Sequence, residues 1–346
     1  MKTRTGNRLA PNLDELERGV LAGNRTRLAQ AITLAESRRE EDARAAAELL
    51  HRLAPHTGRS LRLGISGPPG AGKSTFIDQL GQRLVKAGHR LAVLAVDPSS
   101  RVSGGSILGD KTRMGGLSLL EEAFIRPSPS GGSLGGVARR TRESLRLCEA
   151  AGFDVVIVET VGVGQSEVQV RDLTDLFLLL LLPASGDDLQ GIKRGVMELA
   201  DLVAVNKADG DTRAAALRTQ AEMAAALHMA PDDEEPRRVL ACSAVSGAGL
   251  DEIWRELQAL HERRRAGGGL ECLRRDQEER WFNRLAEEAV LERVFHPTAL
   301  GPLRARLREQ VFQGDLPAEL AVLQLLDAWR PPADSQPREP QAPPGA

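Results

Sequence analysis

Gly67-Pro-Pro-Gly-Ala-Gly-Lys-Ser74 follows the apolar run Leu61 to Ile65 and opens into Thr75-Phe-Ile-Asp-Gln-Leu-Gly-Gln-Arg-Leu84. The order is strand, glycine-rich loop, helix, and the spacing of Gly67, Gly72, Lys73 and Ser74 fits a phosphate-binding loop in the context that motif requires. Glycines let backbone N–H groups turn inward around phosphate oxygens, while the new helix directs its positive end at them. Lys73 is placed to meet the β- and γ-phosphates and Ser74 to offer a hydroxyl to Mg²⁺. Gly67, Pro68, Pro69, Gly70, Ala71, Gly72, Lys73, Ser74 and Thr75 are therefore the expected contacts of a nucleoside triphosphate.

Working outward, the sequence of 346 residues holds 46 Lys and Arg against 48 Asp and Glu, a net charge of −2. Such a balance leaves no electrostatic footprint for nucleic acid or an anionic membrane. Aromatic residues are 3% of the chain and Tyr is absent, which argues against base-stacking platforms. Cys148, Cys242 and Cys272 lie far apart, with neither disulfide nor zinc spacing. The longest apolar run, Leu176 to Leu182, is too short to cross a bilayer and reads as a buried strand. The N-terminus lacks an apolar core after its charges, so a cytoplasmic location is expected.

Residues 1–57 read as an N-terminal helical extension with helices near 12–22, 25–38 and 40–53. Residues 58–266 read as the nucleotide-binding domain. Its strands are expected at 61–66, 91–96, 153–158, 175–182, 202–206 and 238–241, alternating with helices at 74–87, 135–151, 191–200, 212–228 and 250–265. The fold class is α/β, with a mostly parallel sheet covered by helices and ligands bound at the carboxyl ends of the strands. Residues 267–330 form an all-helical C-terminal extension expected to pair with a second copy through Trp281, Leu285 and Trp329. The Pro-rich tail 331–346 has no large apolar side chain to bury and is expected to be disordered.

Four loops carry the remaining chemistry. Asn206-Lys-Ala-Asp209 follows the strand Leu202 to Val205, and the Asp209 carboxylate matches the paired N–H donors that guanine offers and adenine lacks. Lys207 can lie along the base, while Ser243 and Ala244 add backbone donors for the guanine oxygen. Glu159 closes the strand before Thr160-Val-Gly162, where it suits Mg²⁺ and Gly162 suits the γ-phosphate. Asp97 and Asp110 are further metal candidates. Val163 stands where a Ras-like GTPase has a water-orienting Gln, so unaided hydrolysis is expected to be slow. The loop Gly186-Asp-Asp-Leu-Gln-Gly-Ile-Lys193 reads on bare physics either as a mobile functional loop or as a helix capped by Asp187 or Asp188.

Taken together, these stretches resemble the MeaB/ArgK GTPases, the group associated with methylmalonyl-CoA mutase that includes the methylmalonic aciduria type A protein. The resemblance rests on the phosphate loop, Val96-Asp-Pro-Ser-Ser100, Ser103-Gly-Gly-Ser-Ile-Leu-Gly-Asp-Lys-Thr-Arg-Met114, Arg126-Pro-Ser-Pro129, Glu159 to Ser166, Gly186 to Lys193 and Asn206 to Asp209, within residues 10 to 330. It implies GTP hydrolysis to GDP by a chaperone of a coenzyme B12-dependent acyl-CoA mutase, with a cobalamin adenosyltransferase as a further partner, and a homodimer built with the C-terminal helices. It implies that Ser74, Asp97, Asp110 and Glu159 form the Mg²⁺ shell. It also implies that the loop with Asp187 and Lys193 is a switch answering to the mutase, so that Lys73, Glu159, Asp187 and Lys193 make the catalytic set. Three rival readings stand beside it, one of them a non-enzymatic, nucleotide-gated binding module that hydrolyses negligibly alone because of Val163. A GTPase metallochaperone would need Cys or His ligands at metal spacing. A small-molecule kinase would need an acceptor pocket.

Overall fold

The computed structural model describes residues 12–37, 39–96, 114–128, 134–160, 166–183, 194–228, 237–294 and 300–328. They divide into two compact units, one running to Arg274 and the other starting at Arg275. In the first unit, helices α1 (Leu13–Leu21), α2 (Arg25–Ala35) and α3 (Glu40–Leu53) precede strand β1 (Leu61–Ser66). There follow α4 (Lys73–Lys86), β2 (Leu91–Val96), β3 (Ala123–Ser128), α5 (Leu134–Ala150), β4 (Val155–Thr160) and α6 (Ser166–Arg171). The unit continues through β5 (Leu176–Leu181), α7 (Arg194–Leu199), β6 (Leu202–Val205), α8 (Arg213–His228), β7 (Val239–Ala241) and α9 (Leu250–Ala266). Helix α10 (Gly269–Val294) begins here and runs into the second unit, which holds α11 (Gly301–Gln313) and α12 (Ala318–Ala328).

The strands form one seven-stranded sheet in the order β3-β2-β4-β1-β5-β6-β7, with every pairing parallel. Strands β1, β2, β4, β5 and β6 are buried along their whole length, because a parallel sheet is covered on both faces and its alternating side chains must all be accommodated. On one face Leu94, Val156, Val158, Phe177 and Leu179 share a core with Val20, Leu28, Ile32 and Leu49 of the N-terminal helices. On the other, Leu63, Ile65, Val93, Ile157 and Leu178 pack with Phe76, Ile77 and Leu80 of α4 and Ile253 and Leu257 of α9.

β3 is a strand that the sequence reading did not include. Its Arg126-Pro127-Ser128 end breaks the apolar pattern of a buried strand, yet it pairs with β2 alone at the sheet edge, where a proline that cannot donate is tolerated. Arg126 turns to the N-terminal helices and pairs with Glu36. The short helix α6 is likewise an addition. In the second unit, α11 and α12 are paired helices that bury Leu307 and Ala321.

The amino ends of β1, β5 and β6 are held by buried charge. Arg62 forks onto Glu149 through bonds of 2.8 and 2.9 Å. Arg274 forks onto Asp175 at 2.8 and 2.7 Å, and the Arg62 amide donates to the same carboxylate at 2.8 Å. His261 Nε2 stands 3.7 Å from Asp175, and Arg264 bridges the Asp175 carbonyl and the Asp201 carboxylate. Burial pushes the Asp175 carboxyl up, but His261, the Arg274 fork and the Arg62 charge outweigh it and hold the group at about 2.

Candidate nucleotide site

At the opposite end of the sheet, β1 releases the phosphate loop. Gly67 passes so close to β5 that a Cβ there would lie 2.1 Å from the Leu180 carbonyl oxygen, so no other residue fits. Gly72 adopts φ +83° to start α4, with the Asn206 amide 2.8 Å from where a Cβ would stand. The α4 N-terminus has no side-chain cap, which leaves its N–H groups and positive dipole end facing the loop. Lys73 folds back over that loop and donates to the Gly67 and Pro68 carbonyls at 2.7 and 3.2 Å. Burial pulls its ammonium below the ordinary lysine range, with Glu159 and Glu167 opposing. An anionic phosphate in the loop would relieve that cost.

Next to it, the Ser74 hydroxyl donates to Glu159 Oε1 at 3.1 Å. Glu159 is buried near the carboxyl end of β4, and Thr160 beside it donates to the Ser66 hydroxyl at 2.7 Å, tying the β4 end to the residue before the phosphate loop. A hydroxyl and a carboxylate converging beside a phosphate cradle are the hard oxygen donors that suit Mg²⁺. Ser74 and Glu159 would hold the ion, and in that position it would offset charge on the transferring phosphoryl group.

The base-reading loop follows β6. Lys207 takes φ +60°, a left-handed conformation uncommon outside glycine, which the Ala208 amide secures by donating 2.9 Å to the Cys242 carbonyl. The Thr212 hydroxyl bonds the Lys207 and Asp209 carbonyls at 2.5 and 2.9 Å, shaping the turn that presents Asp209. Asn206 serves in a way the sequence did not reveal. Its Nδ2 donates 2.7 Å to the Ala71 carbonyl, while its Oδ1 accepts from the Ala244 amide at 2.9 Å, so one buried side chain braces the phosphate loop against the base loop. The two expected backbone donors are thereby engaged, Ala244 with Asn206 and Ser243 with the Ala248 carbonyl at 2.9 Å. A guanine oxygen would share the Ala244 hydrogen with Asn206.

A family model described as methylmalonyl Co-A mutase-associated GTPase MeaB matches residues 28–299. The chain belongs to the MeaB family. Among MeaB-like proteins, GTPase ArgK of Escherichia coli is 50% identical over 285 residues, covering 82% of this chain and 86% of that one. A methylmalonic aciduria type A homolog, mitochondrial, of Mus musculus is 46% identical over 330 residues, covering 92% and 80%. A crystal structure named LAO/AO transport system kinase superposes with a TM-score of 0.72 at 39% identity, covering 91% of this chain and 96% of that one. As a MeaB protein the chain is a GTPase that binds guanine nucleotide.

The structure brings Lys73, Ser74, Glu159, Asn206, Lys207, Asp209, Ser243 and Ala244 to one edge of the sheet. Asp97, Asp110, Gly162, Val163, Asp187 and Lys193 lie outside the described residues. Burial pushes the Cys148 and Cys242 thiols up, Cys242 to about 12. Among the described residues no helix is long and apolar enough to cross a membrane.

Proposed function

We propose that this GTPase is a chaperone of a coenzyme B12-dependent acyl-CoA mutase, with methylmalonyl-CoA mutase as the partner and with GTP hydrolysis gating cofactor loading and reactivation. The observation that carries the proposal is the match of the mutase-associated family model across residues 28–299, joined to the pairing of Lys73, Ser74 and Glu159 at the phosphate loop. In this reading Lys73 binds the phosphates and Ser74, Glu159, Asp97 and Asp110 supply the Mg²⁺ shell. Asp209 reads guanine with Lys207 along the base, and Asp187 and Lys193 belong to a loop that the mutase draws inward. A cobalamin adenosyltransferase would supply the cofactor that is loaded, in the cytoplasm.

The same proposal makes the protein a homodimer through its C-terminal helices. Phe282, Val290 and Leu291 on α10, Phe312 on α11 and Leu320, Val322, Leu323 and Leu326 on α12 are all exposed, Phe312 to 89%. Large apolar side chains collected on so few helices mark an interaction surface.

Single-turnover GTP hydrolysis with and without purified B12 mutase tests the chaperone role. Val163 cannot orient a water, so acceleration in the complex is expected, and Lys193→Ala should lose it while keeping GTP binding. A supplied cation in phosphoryl transfer is worth at most about 10³ to 10⁵ in rate, and a repositioned lysine less. Unchanged rates in a demonstrated complex would reject the coupling.

A further inference from the structure

Helix α4 starts at the phosphate loop and ends beside the loop that follows β7. At its start, Asn206 joins the phosphate loop to the Ala244 amide. In its last turn, Arg83 reaches the same β7 loop. Arg83 Nη2 donates to the Gly247 carbonyl at 3.4 Å, its Nε stands 3.4 Å from Asp251 Oδ1, and its Nη1 donates to the Gln79 carbonyl at 3.2 Å. The Asp251 side chain is 79% exposed, so that ion pair holds little. The contact with the loop backbone is the one that can set geometry.

Gly247 is buried and takes φ +79°, and a Cβ there would stand 1.9 Å from Arg83 Nη2, so the guanidinium lies where any other residue would put its side chain. The turn that Gly247 closes is compact. Its amide donates to the Ser243 carbonyl at 2.8 Å, the Ser246 amide to the Ser243 hydroxyl at 3.0 Å, and the Ser243 amide to the Ala248 carbonyl at 2.9 Å. Ala244 stands inside this ring of bonds, so a shift of Gly247 is passed through Ser243 to the Ala244 amide. Leu80 and Leu84 of α4 share a core with Leu250 and Ile253 of α9, which gives Arg83 a rigid base. Arg83 starts about 15 Å along the helix axis from Lys73, and Gln79, Gly247 and Asp251 are not used by the nucleotide site. Its effect on a nucleotide therefore runs through the turn.

We propose that Arg83 is a positioning residue for base selection: by lying across Gly247 it fixes turn 243–247 and so aims the Ala244 amide at the guanine oxygen. The proposal rests on the reading of that amide as a guanine donor.

The test is competition binding of GDP and 6-thioguanosine diphosphate to the full-length protein. Sulfur is a weak acceptor, while the ring N–H and the amine that Asp209 reads are kept, so the ratio of the two affinities isolates the contact to the oxygen. Wild type should prefer GDP about tenfold, the effect of one hydrogen bond. Arg83→Ala should weaken GDP about fivefold and 6-thioguanosine diphosphate by less than about twofold, narrowing the preference to about two- to fourfold. Arg83→Met keeps the stem on the helix seam and removes the donors; it should narrow the preference equally, which covers the case in which Arg83→Ala does not fold. Arg83→Lys keeps a cation for the Gly247 carbonyl and should recover a preference of about fivefold or more. Asp251→Asn should leave the wild-type ratio. A folded Arg83→Ala or Arg83→Met with the wild-type ratio overturns the proposal. So does an equal loss of both nucleotides, since Arg83 would then support the fold alone, and so does a narrowed ratio in Asp251→Asn, which would move the role to the ion pair. Wild type binding both nucleotides equally would instead overturn the assignment of the Ala244 amide beneath it.

Discussion

At the carboxyl edge of the sheet Lys73 rests on two backbone carbonyls and Ser74 faces Glu159, whereas at the amino edge Arg62, Arg274 and His261 converge on Glu149 and Asp175. Both edges hold buried charge, yet the partners differ in kind. Arg274 meets a full carboxylate in a two-pronged bond, which satisfies both ions and fixes their geometry. Among the described residues Lys73 donates to two neutral carbonyls, with the charges of Glu159 and Glu167 opposing the burial that pulls its ammonium down, an arrangement improved by an arriving anion. The same strands thus carry a closed electrostatic arrangement at one end and a receptive one at the other. The receptive end is the one proposed to bind, and the closed one is the end expected to hold the fold.

The largest expected effect would break the amino edge. Asp175→Ala leaves the half-buried Arg274 cation and the buried Arg62 amide without their carboxylate, a change that costs about 3 kcal/mol and should lower Tm by roughly 10 °C. Differential scanning calorimetry checks this, and a Tm within about 2 °C of wild type would show that the clamp holds little.

A change at the other edge should spare stability and alter choice of ligand. Asp209→Asn replaces an acceptor for two guanine donors with a group that matches xanthine, so GDP affinity should fall by about 2 kcal/mol and xanthosine diphosphate affinity should rise. Competition binding measures the exchange, and unchanged preference would remove Asp209 from base reading.

The smallest effect separates the edges by pH. The folded Asp175 value of about 2 lies below its ordinary 3.8, so the carboxylate contributes stability that is complete above about pH 5 and is lost as pH falls through 2. The contribution is about 2 kcal/mol. Urea midpoints at pH 5 and pH 2.5 should differ more for wild type than for Asp175→Asn, and parallel profiles would reject the assignment.

This division was unevenly legible. The phosphate loop, Asp209 and Glu159 declare themselves because each sits in a short local pattern at a strand end. The amino-edge clamp joins residues far apart in sequence, 87 positions in the bond from Arg62 to Glu149 and 113 in that from its amide to Asp175, and no local pattern announces such pairs. Arg62 was nonetheless visible as a charge inside an apolar run, which is a reason to look for a buried partner. β3 was hidden by Pro127, and its edge position explains why a proline is admitted there. Asn206 was placed correctly at the end of β6, but its bridge from Ala71 to Ala244 depends on three loops meeting in space. Arg83 reads in sequence as an ordinary charge in the last turn of a helix, and only the docking of Gly247 shows what it holds.

The most direct test titrates GDP calorimetrically into Lys73→Ala and Asp175→Ala side by side, at a temperature where both are folded. Lys73→Ala should lose a hundredfold or more in affinity, about 3 kcal/mol, because the phosphate loses its only phosphate-loop ammonium, and its Tm should not fall. Asp175→Ala should bind GDP within about twofold of wild type despite its lower Tm. Wild-type affinity in Lys73→Ala, or an equal loss in folded Asp175→Ala, would contradict the separation of a binding edge from a holding edge.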